Sequence, residues 1–393
     1  MRILLVHNYY QLPGGEDQVY SAEASLLQAY GHRLSHFTMN NEIIRKMNPF
    51  VLATKTIWNL DVYKRLKNRI ESERPELVHF HNIFPLISPS AYYACRDTGV
   101  PIVQSLHNYR LFCLNALLLR DGKICEECIG RLLPWPGILY SCYKNSRRAS
   151  AVTASMLLFH RLRKTYINLI DLYIALTLSS KNKFIQGGLP QLNIVVKPNF
   201  VSVDPGLSAE LRNCVLFVGR FDVEKGIDTL LEAWRGFPAI PLKAVGAGPL
   251  FLDAQKKYEQ DRGTQIELTG AIAHEEVLSL LQAARLLVVP SRTFENFPLV
   301  IAEAFACGVP VIASRLGAMA EIVEDGKTGL LFTPGDAEDL AAKVEWAWNH
   351  PVEMAEMGKS ARREYEEKYT AERNYQMLME IYQKAIENHR RQR

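Results

Sequence analysis

Pro290-Ser291 leads into Glu295-Asn296-Phe297-Pro298-Leu299-Val300-Ile301-Ala302-Glu303, the run of this chain best equipped for chemistry. Asn296 is a residue type that caps helices, and Pro298 suits a first helical turn. A helix starting there turns its unbonded backbone N–H groups outward, at the positive end of its dipole, which makes an anion site. Glu295 at its mouth and Glu303 within it can accept several hydroxyl donors. An ordinary capped helix with two surface glutamates reads the same way.

A second cluster is Gly219-Arg220-Phe221-Asp222-Val223-Glu224-Lys225-Gly226. Arg220 and Lys225 follow an apolar strand, and open α/β sheets bind ligands at the carboxyl ends of their strands. A rigid guanidinium fork and a mobile ammonium together neutralise a diphosphate. Pairing of the two cations with Asp222 and Glu224 is the competing reading. Gly246-Ala247-Gly248-Pro249 closes the next strand. Near the start, Gly14-Gly15-Glu16 lets backbone approach a ligand closely, although it departs from the G-x-G-x-x-G dinucleotide fingerprint. His107 and His81 each stand just past an apolar run. No Asp-x-Asp occurs, so protein cations rather than a carboxylate-held metal are expected to meet a diphosphate.

The elements that must position these groups follow from periodicity. Ile3–Val6, Leu77–Phe80 and Ile102–Leu106 read as buried strands, and Val19, Ala22, Leu26 and Tyr30 recur at helical spacing. The same grammar restarts at Val215–Val218 and continues with Leu242–Val245, Leu286–Val289 and Val309–Ala313, a helix between the last two ending at Gly308. Buried strands alternating with helices indicate parallel sheets. Lys197-Pro198-Asn199-Phe200 reads as a linker. The stretch Ala151–Leu178 reads as long and amphipathic. A final helix over 371–388 carries Tyr375, Leu378, Ile381 and Ala385 on one apolar face.

With 393 residues the chain exceeds a single core, so two domains are expected. Hydrophobic residues make up 48% and charged residues 22%, as in ordinary globular proteins. The formal net charge of +4 is too weak to argue for nucleic acid. The start MRILLVHNYY has no basic n-region and no long apolar core, and no 18 consecutive apolar residues occur. Seven cysteines without such a leader suggest reduced thiols, hence a cytoplasmic location, at the inner face of a membrane if any membrane is touched.

In order and context these motifs resemble the retaining glycosyltransferases of family 4, with the GT-B fold. The match is carried by Gly14-Gly15-Glu16, His107, Gly219-Arg220 with Lys225-Gly226, Gly246-Ala247-Gly248-Pro249, and Pro290-Ser291 leading to Glu295 and Glu303. Ala304, Gly308, Pro310-Val311 and the run Glu321–Leu331 extend it. The resemblance implies an α/β protein with two Rossmann-like domains facing a cleft. These are an acceptor domain at 1–196 with an insert at 108–150, and a nucleotide-sugar donor domain at 197–370. A helix at 371–393 packs back on the first domain. It implies catalytic roles for His107, Arg220, Lys225 and Glu295. It places Gly14, Gly15, Glu16, Gly219, Gly246, Gly248, Asn296, Phe297, Pro298, Leu299 and Glu303 around the donor. The implied donor is a UDP- or GDP-linked hexose, the acceptor a saccharide or a lipid-linked group, and no cofactor is needed. Polysaccharide or glycolipid synthesis at the cell surface is the implied setting. Asn108 departs from the family, which often has an aspartate there.

The insert falls outside the resemblance. Cys113, Cys125, Cys128 and Cys142 include one C-x2-C pair, which admits a structural zinc site or a set of free thiols. Leu132-Leu133-Pro134-Trp135-Pro136, with Arg147, Arg148, Arg161, Arg163 and Lys164 beyond it, suits either a membrane surface carrying a lipid-linked acceptor or an ordinary core segment. A nucleotide-sugar-binding protein without turnover is the alternative function. An oxidoreductase is disfavoured by the missing dinucleotide fingerprint.

Overall fold

Each apolar run read as a strand becomes a parallel strand, because a strand covered on both faces needs apolar residues at every position. The computed structural model describes residues 1–11, 14–207, 213–237, 239–260 and 265–392; Pro13 of the first glycine loop lies outside them. The strands are β1 (Arg2–Tyr9), β2 (Arg33–Asn40), β3 (Leu77–Phe80), β4 (Ile102–Ser105), the short pair β5 (Leu119–Arg120) and β6 (Lys123–Ile124), β7 (Leu172–Ala175) and β8 (Ile194–Val196). After them come β9 (Cys214–Val218), β10 (Leu242–Val245), β11 (Ile266–Gly270), β12 (Ala284–Val289), β13 (Val311–Ser314) and β14 (Gly329–Phe332). Two parallel six-stranded sheets result, ordered β2-β1-β3-β4-β7-β8 and β11-β10-β9-β12-β13-β14. Contacts divide the chain into two compact units. The first holds Met1–Leu118, Cys125–Pro198 and the chain from Asn374 onward; the second holds Leu119–Ile124 and Asn199–Arg373.

The stretch Ala151–Leu178 is not one amphipathic element. A helix ends at Leu162, a short one covers Thr165–Asn168, and β7 follows. Leu172, Tyr173, Ile174 and Ala175 are all fully buried, so the apolar face imagined for a helix is a strand inside the sheet. The edge strand β2 escaped notice because RLSHFTMN is half exposed and lacks an apolar run.

The first unit closes its core with the last helix, Ala371–Gln392. Leu378, Ile381, Tyr382 and Ala385 pack on Ile3 and Leu5 of β1, Leu77, Val103 and Leu172. Burying one such side chain contributes about 1.5–3 kcal/mol. In the second unit Val215 and Phe217 of β9, Leu230 and Trp234 of the helix Ile227–Trp234, and Leu286, Val288 and Ile312 form the corresponding core.

One polar cluster interrupts the apolar packing of the first unit. Lys197, just past β8, is not a solvated linker residue: its side chain is 1% exposed and its Nζ donates to Glu23 Oε1 at 2.6 Å. It also donates to Asn374 Oδ1 at 3.2 Å, and Asn374 Nδ2 donates to the Pro198 carbonyl at 2.9 Å. His79 joins Tyr382 at 2.8 Å through Nδ1 and Ser105 at 2.9 Å through Nε2. His81 Nε2 lies 3.5 Å from the second oxygen of Glu23. Burial opposes the charge of Glu23, but the Lys197 ammonium, then His79, outweighs it and holds the carboxyl below its usual range. Glu23, His79 and His81 have the spacing of metal ligands. The Lys197 ammonium already supplies a positive charge to that carboxylate.

Two outcomes are expected. Lys197→Met strands a buried carboxylate and costs about 3–5 kcal/mol in urea unfolding, while Lys197→Met with Glu23→Gln recovers much of that loss. Burial pushes His79 down to about 4. The unfolded chain therefore binds more protons below the ordinary histidine value of about 6.5. Stability from this residue is complete above that value and is lost as pH falls toward 4, by at most about 1.4 kcal/mol per pH unit. His79→Gln flattens that slope; an unchanged slope refutes the assignment.

Candidate active site

In the second unit the loops after β9 and β10 are laced together. Gly219 N donates to Val245 O at 3.0 Å, Phe221 N to Ala247 O at 3.1 Å, and Gly246 N to Gly270 O at 2.7 Å. Gly246 has φ +142, and a Cβ there would lie 1.8 Å from the Gly219 carbonyl oxygen. Gly248 continues this turn, its carbonyl accepting from Phe251 N. These glycines are required by backbone crowding, whatever they do for a ligand. Gly226, at φ +69, would place a Cβ 2.0 Å from Pro290 O, so the turn after Lys225 lies directly on the end of β12.

That proximity brings Lys225 to Glu295. Lys225 Nζ is 2.5 Å from Glu295 Oε1, which also accepts from Ser291 Oγ at 2.8 Å. Burial works against ionisation of Glu295; the Lys225 charge, the two hydrogen bonds and then Arg220 prevail and hold its carboxyl below the usual range. Arg220 is paired with Glu224 and has Asp222 at 3.8 Å, yet its side chain remains 63% exposed. Burial raises the Glu224 carboxyl. The surface pairing expected for Arg220 is thus present, with the guanidinium still reachable from solvent.

The helix after Glu295 spans Leu299–Ala306, and Pro298 rather than Asn296 stands at its N-cap. Pro298 has ψ 97, which keeps it out of the helix. Asn296 and Phe297 are nearly buried, and Phe297 packs edge-on against Tyr369. Leu299 and Val300, at the first two helical positions, have no acceptor within the helix for their N–H groups. Glu303 lies on the buried side of this helix, 3.6 Å from His274 Nε2. Burial raises its carboxyl, and His274 partly offsets that.

In the first unit Gly14 precedes the helix Gly15–Ala29. Asp17 accepts from Gly14 N at 3.0 Å and from His7 Nε2 at 2.7 Å, fixing the glycine loop to β1. Glu16 accepts from Tyr10 OH at 2.9 Å and from Asn108 Nδ2 at 2.6 Å. No ion pair of Glu16 occurs among the described residues. His107 stacks on His81, with His107 Nε2 at 3.0 Å from His81 Nδ1. Burial lowers the His107 pKa, while Glu16 and Glu23 pull it upward and His7 and Lys197 add to the lowering. A pocket of about 60 Å³ runs beside His107, lined by Phe84, Tyr92, Leu106, Leu111 and Met156 among others. Asp17, His7, Glu23 and Lys197 were missed at the sequence level. Their signal was a charged or imidazole residue inside an apolar run or helix face.

The four insert cysteines gather in the first unit. Burial pushes Cys128 up to about 11, and Cys113, Cys142 and Cys125 add to the rise. Cys113 Sγ donates to Asn115 Oδ1 at 2.9 Å. Among the described residues no three of these sulfurs lie within 4.8 Å of one another. A tetrahedral ion with Zn–S bonds of about 2.3 Å would need sulfurs about 3.8 Å apart, so metal binding would require the loop to contract.

The Glu16 corner gives a sharp test. Asn108→Asp sets two carboxylates at 2.6 Å, and one of them then keeps its proton to higher pH. The raised folded-state pKa makes the penalty absent near pH 4 and full near pH 8, at about 1–3 kcal/mol. Thermal unfolding of the variant and the parent at both pH values should show this; an equal gap at both would refute it.

Residues 204–364 match the model for glycosyl transferases group 1, and residues 19–205 match the model for glycosyltransferase family 4. An uncharacterized glycosyltransferase of Methanocaldococcus jannaschii is 26% identical over 330 residues, covering 82% of this chain and 80% of its own. The sulfoquinovosyl transferase of Arabidopsis thaliana is 33% identical over 155 residues, which is 39% of this chain and 30% of its own. Among solved structures, HepE of Anabaena superimposes with a TM-score of 0.69 at 18% identity, covering 97% of this chain and 99% of its own. The sucrose-phosphate synthase of Thermosynechococcus elongatus gives 0.70 at 18% identity, covering 97% and 98%. With two six-stranded parallel sheets, both halves matched by the family models, and neighbours of this architecture, the chain belongs to family 4 of the glycosyltransferases and has the GT-B fold.

Proposed function

We propose that this glycosyltransferase moves a hexose from a nucleoside diphosphate sugar to a saccharide or lipid-linked acceptor, with retention at the anomeric carbon. The observation that carries the reading is the Lys225–Glu295 pair beside an exposed Arg220 at the carboxyl end of β9 and β12. HepE of Anabaena has been solved with UDP and with UDP-glucose, which supports a uridine donor.

In the proposed reaction Arg220 and Lys225 meet the diphosphate, while Glu295 and the Leu299 and Val300 amides hold the sugar and phosphate. Glu303 takes the ribose hydroxyls. The bond between the anomeric carbon and the phosphate oxygen breaks as the acceptor oxygen bonds to the same face. The acceptor proton passes to an oxygen of the departing diphosphate. The two cations stabilise the charge that grows there, and this is where a fixed cation acts most strongly. In the first unit His107 meets the donor sugar near the reacting carbon, and Gly14, Gly15 and Glu16 lie near the phosphate or the acceptor, Glu16 as a hydroxyl acceptor. Cell-surface polysaccharide or glycolipid synthesis would use such an activity.

A thermal-shift panel of UDP, GDP and NAD tests the donor reading. At a hundredfold excess over its dissociation constant, the right nucleotide adds about 2.7 kcal/mol, and Arg220→Ala with Lys225→Ala abolishes the gain. A shift with NAD alone would sink the proposal. With turnover established, Lys225→Ala should lower kcat by about 10²–10³. The product's anomeric proton coupling should match the donor's, and an inverted product would overturn retention.

A further inference from the structure

We infer that the first unit holds a subsite for an anionic acceptor: Arg110 binds a phosphate or carboxylate group, and the pocket beside His107 takes the compact apolar group attached to it. The inference rests on the proposed transfer to an acceptor, and it is tested independently of donor binding.

Arg110 stands in the loop that follows β4, just past His107, at a carboxyl end where open sheets bind ligands. The loop holds it firmly. Asn108 Oδ1 accepts from Arg110 N at 3.0 Å, and Arg110 Nη1 donates to the Leu114 carbonyl at 2.6 Å. The guanidinium carbon lies 4.3 Å from the centre of the Phe84 ring and 5.1 Å from that of the Tyr143 ring. These contacts fix the side chain, but none supplies a negative charge. Among the described residues no carboxylate lies within 4.0 Å of Arg110, and of its side-chain nitrogens Nη1 alone has an acceptor. The residue is half-buried, so the rest of its donors face a reachable space. Arginine carries five N–H donors in a planar fork that matches carboxylate and phosphate oxygens. Two other cations of this unit are already committed. Arg161 donates to the carbonyls of Arg131, of Leu132 at 3.0 Å and of Leu111 at 2.7 Å, and Lys197 is paired with Glu23.

Arg110 also lines the pocket of about 60 Å³. His107, Arg110 and Leu111 of its wall are half-buried, whereas Phe84, Tyr92 and Met156 are buried, so the pocket opens on the Arg110 side. Its polar lining is largely engaged. Gln104 Oε1 accepts from Tyr92 OH at 2.6 Å, and Gln104 Nε2 donates to the carbonyls of His81 and Ser105 at 2.7 Å each. Asn82 donates to the Asn8 carbonyl at 2.8 Å and accepts from Phe84 N at 3.0 Å. The Tyr166 hydroxyl has no partner, but it is sealed off by its neighbours. A hydroxyl entering this interior would lose its hydration for nothing, so the pocket suits carbon. At about 10–15 Å³ for each water-sized group, it holds roughly four to six of them.

Glu16 sets which way round such a ligand lies. The Asn108 that turns Arg110 into place also donates to Glu16 at 2.6 Å. Tyr10 feels both charges: burial and then Glu16 push its hydroxyl well up, and Arg110 opposes them. A ligand with hydroxyls toward Glu16 and an oxyanion toward Arg110 satisfies both ions. The reverse orientation sets two anions together, and a neutral ligand leaves the guanidinium without a counter-charge.

Ligand-observed NMR of the whole chain with butyl phosphate, pentanoate, inorganic phosphate and butanol tests the inference. Butyl phosphate or pentanoate should bind about tenfold or more tightly than butanol, and the preferred anion tells a phosphate-bearing acceptor from a carboxylate-bearing one. Butyl phosphate should exceed inorganic phosphate, because the pocket takes the alkyl chain. Arg110→Gln should weaken the anion by about tenfold or more, and Arg110→Lys, which keeps the charge without the fork, should recover part of the loss. Leu111→Trp, at the half-buried wall, should bring butyl phosphate down to the level of inorganic phosphate. Circular dichroism and urea unfolding confirm that each variant is folded. Arg220→Ala with Lys225→Ala should leave the binding of butyl phosphate and pentanoate unchanged; its loss there would assign the anion to the donor site and overturn the inference. So would equal binding of butanol, binding that Arg110→Gln leaves intact, or no binding of either organic anion. Failure of the donor reading would show instead in the nucleotide panel.

Discussion

The buried pair of Lys197 and Glu23 is the contact on which the first unit turns. Two ions with side chains at 1% and 2% exposure must satisfy one another or cost several kcal/mol each. Their partners come from places far apart in the chain. Glu23 belongs to the first helix and Lys197 follows β8. Asn374 belongs to the last helix, which also supplies Tyr382 to His79. Apolar packing of Leu378 and Ile381 on β1 would tolerate sliding. Hydrogen bonds of fixed direction do not, so the polar cluster sets the register in which the last helix closes the core. The same cluster reaches His107 through His81, so a residue of the candidate site is oriented by the contact that also fixes the fold.

The legible part of this fold was what repeats. Leu77–Phe80 and Leu242–Val245 are strands with the bounds their apolar runs suggested, and Gly308 ends its helix at φ +62. The segment Leu172–Ala175 was hidden because an apolar run following a helical one carries no mark of its change in period. Strand β2 was hidden for the opposite reason, its residues being half polar at a sheet edge. In the candidate site, Arg220, Lys225 and Glu295 were picked out as charged residues in the loops beyond two strand ends. That Lys225 would sit against Glu295, 70 positions away, was not. It depends on Gly226 touching Pro290, a backbone contact that spacing does not report.

The buried ions and histidines were the least legible. Only its place on a helix face among apolar residues marks Glu23, which shares its helix with the half-buried Glu16 and the buried Asp17. Its burial is decided by Lys197 and the last helix together, and such long-range pairs leave no local pattern. Asn296 shows the converse failure. Its type suits a cap, yet Pro298 holds that position, since its own extended ψ already ends the preceding loop. Local propensity named a plausible cap, and the geometry of a following proline settled a different one.

The two units hold their candidate carboxylates in opposite ways. Glu295 is kept ionised by a cation, so a diphosphate drawn to Lys225 must share that ammonium with it. Glu16 has only neutral donors, the Tyr10 hydroxyl and the Asn108 amide, and its charge is not cancelled by any described cation. A carboxylate fixed in place with charge to spare accepts hydroxyl donors well, because each new hydrogen bond to an ion is about twice as strong as one between neutral groups. An aspartate at position 108 would remove that capacity by competing with Glu16 for a proton. Asparagine preserves it and supplies the donor that aims the carboxylate. Asn108, where the family often has an aspartate, is thus the residue that aims Glu16.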